Sequence, residues 1–304
     1  MKIYINSPKE SWVVDRFVTE WKEHNKSLVT NFISKSDIVW IIAPWTWKKL
    51  SKKHLRNKKV MCTIHHIDDK KFNKDEFFEL DQYVDSYHII SKKTYTSLSD
   101  LTKKKIFFSP FWIDQKKWYY KDEKINLRKK FNFSENDYLI GSFQRDTEGS
   151  DNQSPKLEKG PDYFLEIVSY LNNEHRNLKV VLTGKRRNYV KDNLEKLSIP
   201  YKYFEMVDFK MLNELYNSLD LYIVSSRVEG GPQSILESAI TKTPIISTNV
   251  GIANHILSEK SIYTMENFEK AIPNIDYAHE QVQKYTIPEG FVNFINEFTE
   301  IYEN

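Results

Sequence analysis

The chain has 304 residues, 40% of them hydrophobic and 14% aromatic, enough for two cores at about 150 residues per domain. Its single cysteine, Cys62, excludes an internal disulfide and a thiolate-held metal cluster. Net charge is only +3, yet residues 1–135 carry 28 basic and 17 acidic side chains and the remainder 17 basic and 25 acidic, so a basic half that suits an anionic partner precedes an acidic one.

In chain order, short apolar runs alternate with helical segments. The first half gives expected strands at 2–6, 38–43, 60–64, 86–90 and 106–109, with amphipathic segments at 12–24, 46–56 and 92–101. A polar, lysine-rich run at 118–124 breaks the pattern, which places a domain boundary at about residue 120. The pattern restarts at 127–131, with strands at 138–143, 178–183, 201–204, 221–224 and 244–247 and helices at 162–172, 188–197, 210–218 and 232–241. A last helix, 290–302, puts Phe291, Phe294, Ile295 and Phe298 on one stripe. Such alternation indicates βα units and parallel sheets. The expected organisation is two Rossmann-like, doubly wound α/β domains, 1–120 and 121–285, with residues 286–304 packing back on the first. Ligands of such sheets bind beyond the C-terminal strand ends, so a cleft between facing domains is the expected active site.

The most informative segment is SSRVEGGPQSILE, Ser225 to Glu237. An apolar strand runs into a loop with Gly230 and Gly231, then a helix expected to open at Pro232, whose fixed φ suits a first turn. Glycines admit close backbone approach, and the N–H groups of Gly231, Gln233 and Ser234 would form an anion site at the helix start. Glu229 and Glu237 bracket it and are placed to accept sugar hydroxyls. Taken alone, a glycine-containing strand-to-helix turn is also ordinary scaffold.

Glu229 and Glu237 form an E-x7-E pattern that resembles the retaining glycosyltransferases of family 4, which have the GT-B fold. Gly141-Ser-Phe-Gln-Arg145, Lys159-Gly160-Pro-Asp, Val180-Val-Leu-Thr-Gly184, the run from Leu215 to Ser225 and Pro244-Ile-Ile-Ser-Thr-Asn-Val-Gly251 are similar to the family's second domain in the right order. Val60-Met-Cys-Thr-Ile-His65-His66 and the run from Phe111 to Trp118 resemble parts of the first. The resemblance implies that Arg145 and Lys159 bind the donor diphosphate, with Lys156 a competitor. It places Glu229 at the donor sugar, Glu237 at the ribose, Gly184 along the donor and backbone around Val207 at the base. A guanidinium and an ammonium would stabilise the departing diphosphate. The implied enzyme is a metal-independent hexosyltransferase without a cofactor, using a UDP- or GDP-sugar and a glycan or lipid-linked acceptor in surface polysaccharide synthesis.

His65 and His66, paired at a strand end, are candidate catalytic residues; with Asp68 and Asp69 they lack a standard zinc spacing. The turn after the first strand, Ser7-Pro8-Lys9-Glu10-Ser11-Trp12, has no glycine where many family members have several, which points to a reshaped acceptor side. Trp45 and Trp47 precede Lys48, Lys49, Lys52, Lys53 and Arg56, a combination suited to an anionic membrane surface. Without a signal-peptide core or a spanning apolar run, the expected location is cytoplasmic, peripheral on the inner face of the membrane. The rival readings are a GT-B nucleotide-sugar epimerase, an inactive nucleotide-sugar-binding protein and a basic nucleic-acid-binding protein, for which no motif is present.

Overall fold

The computed structural model describes residues 1–10, 13–68 and 72–304; Ser11, Trp12, Asp69, Lys70 and Lys71, and the sequence readings that fall on them, lie outside the described residues. The chain forms two compact units, Met1–Trp112 with Tyr285–Asn304, and Ile113–Lys284.

The first unit is a parallel sheet in the order β1 (Ile3–Ile5), β2 (Ile38–Ile41), β3 (Lys59–Ile64), β4 (Ser86–Ile89) and β5 (Lys105–Phe108). The chain leaves β1 through the helix Val13–His24 and touches its free edge at Val29 before crossing to β2, so the winding reverses beside β1. Side chains alternate across each strand and feed two layers. On one face Val39, Ile41, Val60, Cys62 and Tyr87 meet Trp47, Leu55, Phe77 and Leu80. On the other, Trp40, His88 and Phe107 meet Phe111, Trp112 and the helix Glu289–Glu303. Phe291, Phe294 and Phe298 are buried there, with Trp21 edge-on to Phe291 at 5.2 Å and to Phe298 at 5.5 Å. Each aromatic ring buries on the order of 150–250 Å², so this layer is a large apolar contact. Glu297 on the same helix accepts hydrogen bonds from Ser86 Oγ (2.6 Å) and Lys105 Nζ (2.7 Å), which meets the cost of burying its carboxylate.

The second unit is a parallel sheet in the order β11 (Ile262–Tyr263), β10 (Ile245–Thr248), β9 (Leu221–Val224), β6 (Tyr138–Ser142), β7 (Leu178–Thr183) and β8 (Tyr201–Phe204). Its core is mainly aliphatic, with Ile140, Val168, Val180, Leu194 and Ile223 at 0–1% exposure. The division between units falls at Trp112 rather than at about residue 120. Trp118 is fully buried in the second unit, edge-on to Tyr216 at 5.9 Å, and the backbone N–H of Tyr119 and of Lys121 donates to Asn213 and Asn217. The lysine-rich run is therefore a strap on the second sheet's helices, not a linker.

The expected helix at 46–56 is two pieces, a 3-10 helix Pro44–Lys49 and a short α-helix Lys52–Arg56, separated by extended backbone at Leu50. Burial of Trp47 on the sheet fixes the first piece. No helix among the described residues is long and apolar enough to cross a membrane.

Candidate active site

The second sheet reverses its winding at β6, which pairs with β7 on one side and β9 on the other. The loops leaving β6 and β9 therefore open a crevice at the strand ends, the position where such sheets take ligands. The first loop returns through a 3-10 turn, Leu157–Lys159, into the helix Pro161–Glu174. Gly160 joins them with φ 59°, and a Cβ there would lie 1.8 Å from the Ser225 carbonyl oxygen. Only glycine allows this left-handed turn to press against the end of β9.

That contact brings Lys159 and Glu229 together. The Lys159 ammonium forms an ion pair with Glu229 Oε1, and the two side chains are 21% and 16% exposed. Gln144 Nε2 donates to the Lys159 carbonyl (2.9 Å), and Ser226 Oγ lies 3.2 Å from Gln144 Oε1 and 3.4 Å from Glu229 Oε1. Thr248 Oγ1 donates to the Ser226 carbonyl (2.6 Å) and fixes the loop from the neighbouring strand. The result is a half-buried cation and anion on a hydrogen-bonded floor, each able to exchange its partner for a ligand group.

Beyond Glu229 the chain turns at Gly230 and Gly231. Gly251, with φ 57°, packs so closely that a Cβ would lie 2.7 Å from the Gly230 carbonyl oxygen. Pro232 occupies the N-cap position with extended ψ, so the helix is Gln233–Ile240 and opens one residue later than the sequence suggests. Ser234, half-buried, starts its first turn beside Gln233. Glu237 is 7% exposed, and its Oε2 accepts from the Tyr216 hydroxyl at 3.0 Å. Burial, with Tyr222 and Glu237 nearby, raises the Tyr216 pKa well above its ordinary value, so the phenol stays neutral and donates. Glu237 is thus held in the second turn of this helix by the Tyr216 hydroxyl.

Arg145 is exposed and makes no hydrogen bond or ion pair among the described residues. Lys156 lies 3.6 Å from Glu148, away from the Lys159 pair. Gly184, with φ 90°, turns the chain after β7, and its carbonyl accepts from the Tyr203 hydroxyl (2.9 Å). Val207 follows β8, half-buried, just before the helix Phe209–Ser218, which Asp208 caps through Met211 N–H. Arg187, which no local motif marks, is a fully buried guanidinium that bonds Asp146 (2.7 Å) and the carbonyls of Ser142 and Thr183. It ties the ends of β6 and β7 and sets the start of the Arg145 loop. Burial raises the Asp146 pKa, with Arg187 opposing.

Residues 153–284 match the family model described as glycosyl transferases group 1. An uncharacterized glycosyltransferase of Methanocaldococcus jannaschii is 26% identical over 43% of this chain and 32% of its own length. An O-antigen biosynthesis glycosyltransferase of Escherichia coli is 26% identical over 52% of this chain and 42% of its own. The matches thus span less than half the length of these curated relatives. Among solved structures, Anabaena HepE in complex with UDP superposes with a TM-score of 0.73 at 12% identity, covering 99% of each chain. Sucrose-phosphate synthase from Thermosynechococcus elongatus gives 0.68 at 12%, covering 97% of this chain and 80% of its own. The architecture is the α/β two-domain GT-B fold.

The group 1 match ends where the second unit ends. In the first unit, His65 follows β3 directly and is only partly buried, while His66 is exposed. His65 Nε2–H donates to the Ile42 carbonyl (2.8 Å), and its ring sits 5.6 Å from Trp45 and 6.0 Å from Phe111. Desolvation lowers its pKa to about 4, the Ile42 carbonyl opposing and His66 adding, so the ring is neutral at ordinary pH. The glycine-free turn is held by Asp15, whose carboxylate accepts from Ser7 Oγ and from the N–H of Lys9 (3.1 Å) and Glu10 (2.8 Å). Of the basic run, Lys48 pairs with Glu76 (3.3 Å), Lys52 with Glu79 (2.6 Å), and Arg56 lies over Tyr83; Lys49 and Lys53 are exposed and make no ion pair among the described residues. Trp47 is 1% exposed, so of the two tryptophans only Trp45 reaches the surface.

Proposed function

We propose that the chain is a retaining, metal-independent glycosyltransferase of the family 4 type that takes a hexose from a UDP- or GDP-sugar held in the second unit. The observation that carries this reading is the pairing of Lys159 with Glu229 at the β6/β9 switch point, inside the stretch that matches the group 1 model. Lys159, Arg145 and the N–H groups of Gly231, Gln233 and Ser234 take the diphosphate, Glu229 stands beside the donor sugar, and Glu237 accepts from the ribose. Gly184 and the backbone at Val207 flank the donor and its base. The departing diphosphate takes the acceptor proton, and the protein contributes positioning and charge stabilisation, with no cofactor. His65 and His66 serve the sugar or acceptor side.

The acceptor is a glycan or lipid-linked sugar in surface polysaccharide synthesis, and the enzyme works in the cytoplasm, attached reversibly to an anionic membrane surface through the 48–56 run. Anabaena HepE, also solved with UDP-glucose, and the Escherichia coli relative named for O-antigen biosynthesis support the donor and the pathway class. Calorimetry with UDP, GDP and ADP, followed by turnover assays with the matching sugars and chelator present, tests the reading. Binding of a nucleoside diphosphate that disappears in Lys159→Ala is the expected result. Absence of binding by all three overturns it, and conversion of donor to a new nucleotide sugar without acceptor would indicate an epimerase.

A further inference from the structure

Arg227 lies between Ser226 and Glu229 and is not among the groups assigned to the donor above. Its guanidinium grips Asp162 with two parallel bonds, Nη1 to Oδ1 at 2.7 Å and Nη2 to Oδ2 at 2.6 Å, and Nη1 also donates to the Leu157 carbonyl (2.8 Å). It stacks over the Tyr163 ring with Cζ 3.6 Å from the centroid. The backbone joins in, since the N–H groups of Arg227 and Val228 both donate to the Glu158 carbonyl, at 2.8 and 3.2 Å. Every one of these contacts links the loop before Glu229 to the turn and helix start around Lys159. Leu157, Glu158, Asp162 and Tyr163 flank Lys159 in sequence; Arg227 and Val228 precede Glu229.

We infer that Arg227 and Asp162 are positioning residues that clamp the Lys159 turn to the Glu229 loop, so that ammonium and carboxylate meet at the donor. The inference rests on the glycosyltransferase reading for its consequence but not for its geometry. Fork-to-fork bonding fixes angle as well as distance, and stacking on Tyr163 fixes the plane; a lysine supplies neither. The pair is also partly exposed, with side chains 30% and 35% accessible. A single partly exposed pair of this kind holds local geometry more than it holds the whole fold. A clamp that holds geometry rather than the fold therefore separates the two readouts: turnover falls steeply while the melting point hardly moves.

The test is a double-mutant cycle of Arg227→Lys and Asp162→Asn in the full chain, reading kcat, KM for the donor and Tm, together with crystal structures of the two single variants. Each single variant is expected to lose at least tenfold in kcat/KM, with Tm close to that of the parent. The double variant loses no more than the worse single one, as two halves of one device should. In the crystals the Lys159–Glu229 contact opens. Additive losses, unchanged kcat/KM, or an activity loss matched by a large fall in Tm would overturn the clamp. So would single-variant crystals in which Lys159 and Glu229 stay paired, a result that needs no turnover. If the parent protein transfers no sugar, the functional reading fails and the crystals alone decide the clamp.

Discussion

The two units share a winding pattern but end their strands in different side chains. At the strand ends of the second unit stand a paired Lys159 and Glu229, an exposed Arg145 and a nearly buried Glu237, set on hydrogen-bonded loops. At those of the first stand Asn6 bonded to Ala43 and Thr46, His65 tied to the Ile42 carbonyl, and the indole of Trp45 bonded to the Glu10 carboxylate, with no Lys–Glu pair of the Lys159–Glu229 kind among these described residues. A site that handles an anion requires fixed charge in a few positions. A site that handles hydroxyls and ring faces needs neutral donors, acceptors and an aromatic surface, which many residue combinations supply. The family match covers residues 153–284, within the unit that carries the Lys159–Glu229 pair.

The sharpest way to break this comparison is to remove the charge. Lys159→Ala should weaken nucleoside diphosphate binding by at least ~1.5 kcal/mol, the lower range for a charged hydrogen bond, and lower turnover further because the leaving group is also stabilised there. Arg145→Ala should follow in the same direction, and calorimetry that finds both variants unchanged would remove the diphosphate from this site. Glu229→Gln separates the two halves of the pair. With its carboxylate gone, Lys159 is free for phosphate, so UDP or GDP should bind at least as tightly as before while kcat falls. A rise in KM at normal kcat would place Glu229 in binding alone.

A smaller effect is expected from Gly160→Ala. The added methyl would enter the Ser225 carbonyl in a left-handed backbone conformation, so the turn must shift away from β9. The melting point should drop by several degrees, and nucleotide binding should weaken with it. Retention of both would show that the turn does not depend on this approach.

Much of this was legible in the sequence, and for identifiable reasons. Short apolar-rich runs bounded by turn residues read as strands, and Leu178–Thr183, Tyr201–Phe204 and Leu221–Val224 fall at the expected residues. Glu229 and Lys159 came from the family resemblance, and the structure pairs them across the Gly160 turn. The helix Lys74–Asp81 was missed although Asn73 and Glu76 form its cap, because only Phe77 and Leu80 are buried among polar neighbours. Arg227, Arg187 and Tyr216 were missed for a different reason: their roles depend on partners 65, 41 and 21 residues away. Trp47 beside a lysine run read as a surface aromatic, whereas the sheet behind it supplied a better partner than any interface.

The first unit's neutral polar groups give a pH test of the comparison. His88 is fully buried, bonded to Thr63 Oγ1 (3.0 Å) and to the Ser109 carbonyl (2.8 Å), and desolvation lowers its pKa to about 3, with Ser109 opposing and His65 adding. Below an unfolded value of about 6.5 the unfolded chain binds protons that folded His65 and His88 refuse. Their contribution to stability is therefore complete above about pH 6.5 and is lost as pH falls toward about 4 for His65 and about 3 for His88. Denaturation of the parent and of His88→Gln between pH 7 and pH 4 should show a shallower loss in the variant. Parallel curves would mean that His88 does not titrate on unfolding.

The smallest expected effect concerns the basic excess of the first unit. Each Lys or Arg near an anionic surface contributes about 1 kcal/mol, screened by salt. Lys48 and Lys52 already face glutamates and Arg56 lies over Tyr83, which leaves Lys49 and Lys53 as the unpaired cations of the run among the described residues. Burial of Trp47 removes one of the two aromatic anchors, and Trp45 is partly committed to Glu10. Two free lysines supply about 2 kcal/mol at best, enough for weak attachment that needs low salt. Sedimentation with anionic vesicles at low salt should carry down a minor fraction, abolished at high salt and reduced in Lys49→Gln/Lys53→Gln. Complete recovery of the parent in the supernatant at low salt would remove the membrane from the proposal, and a soluble glycan acceptor would take its place.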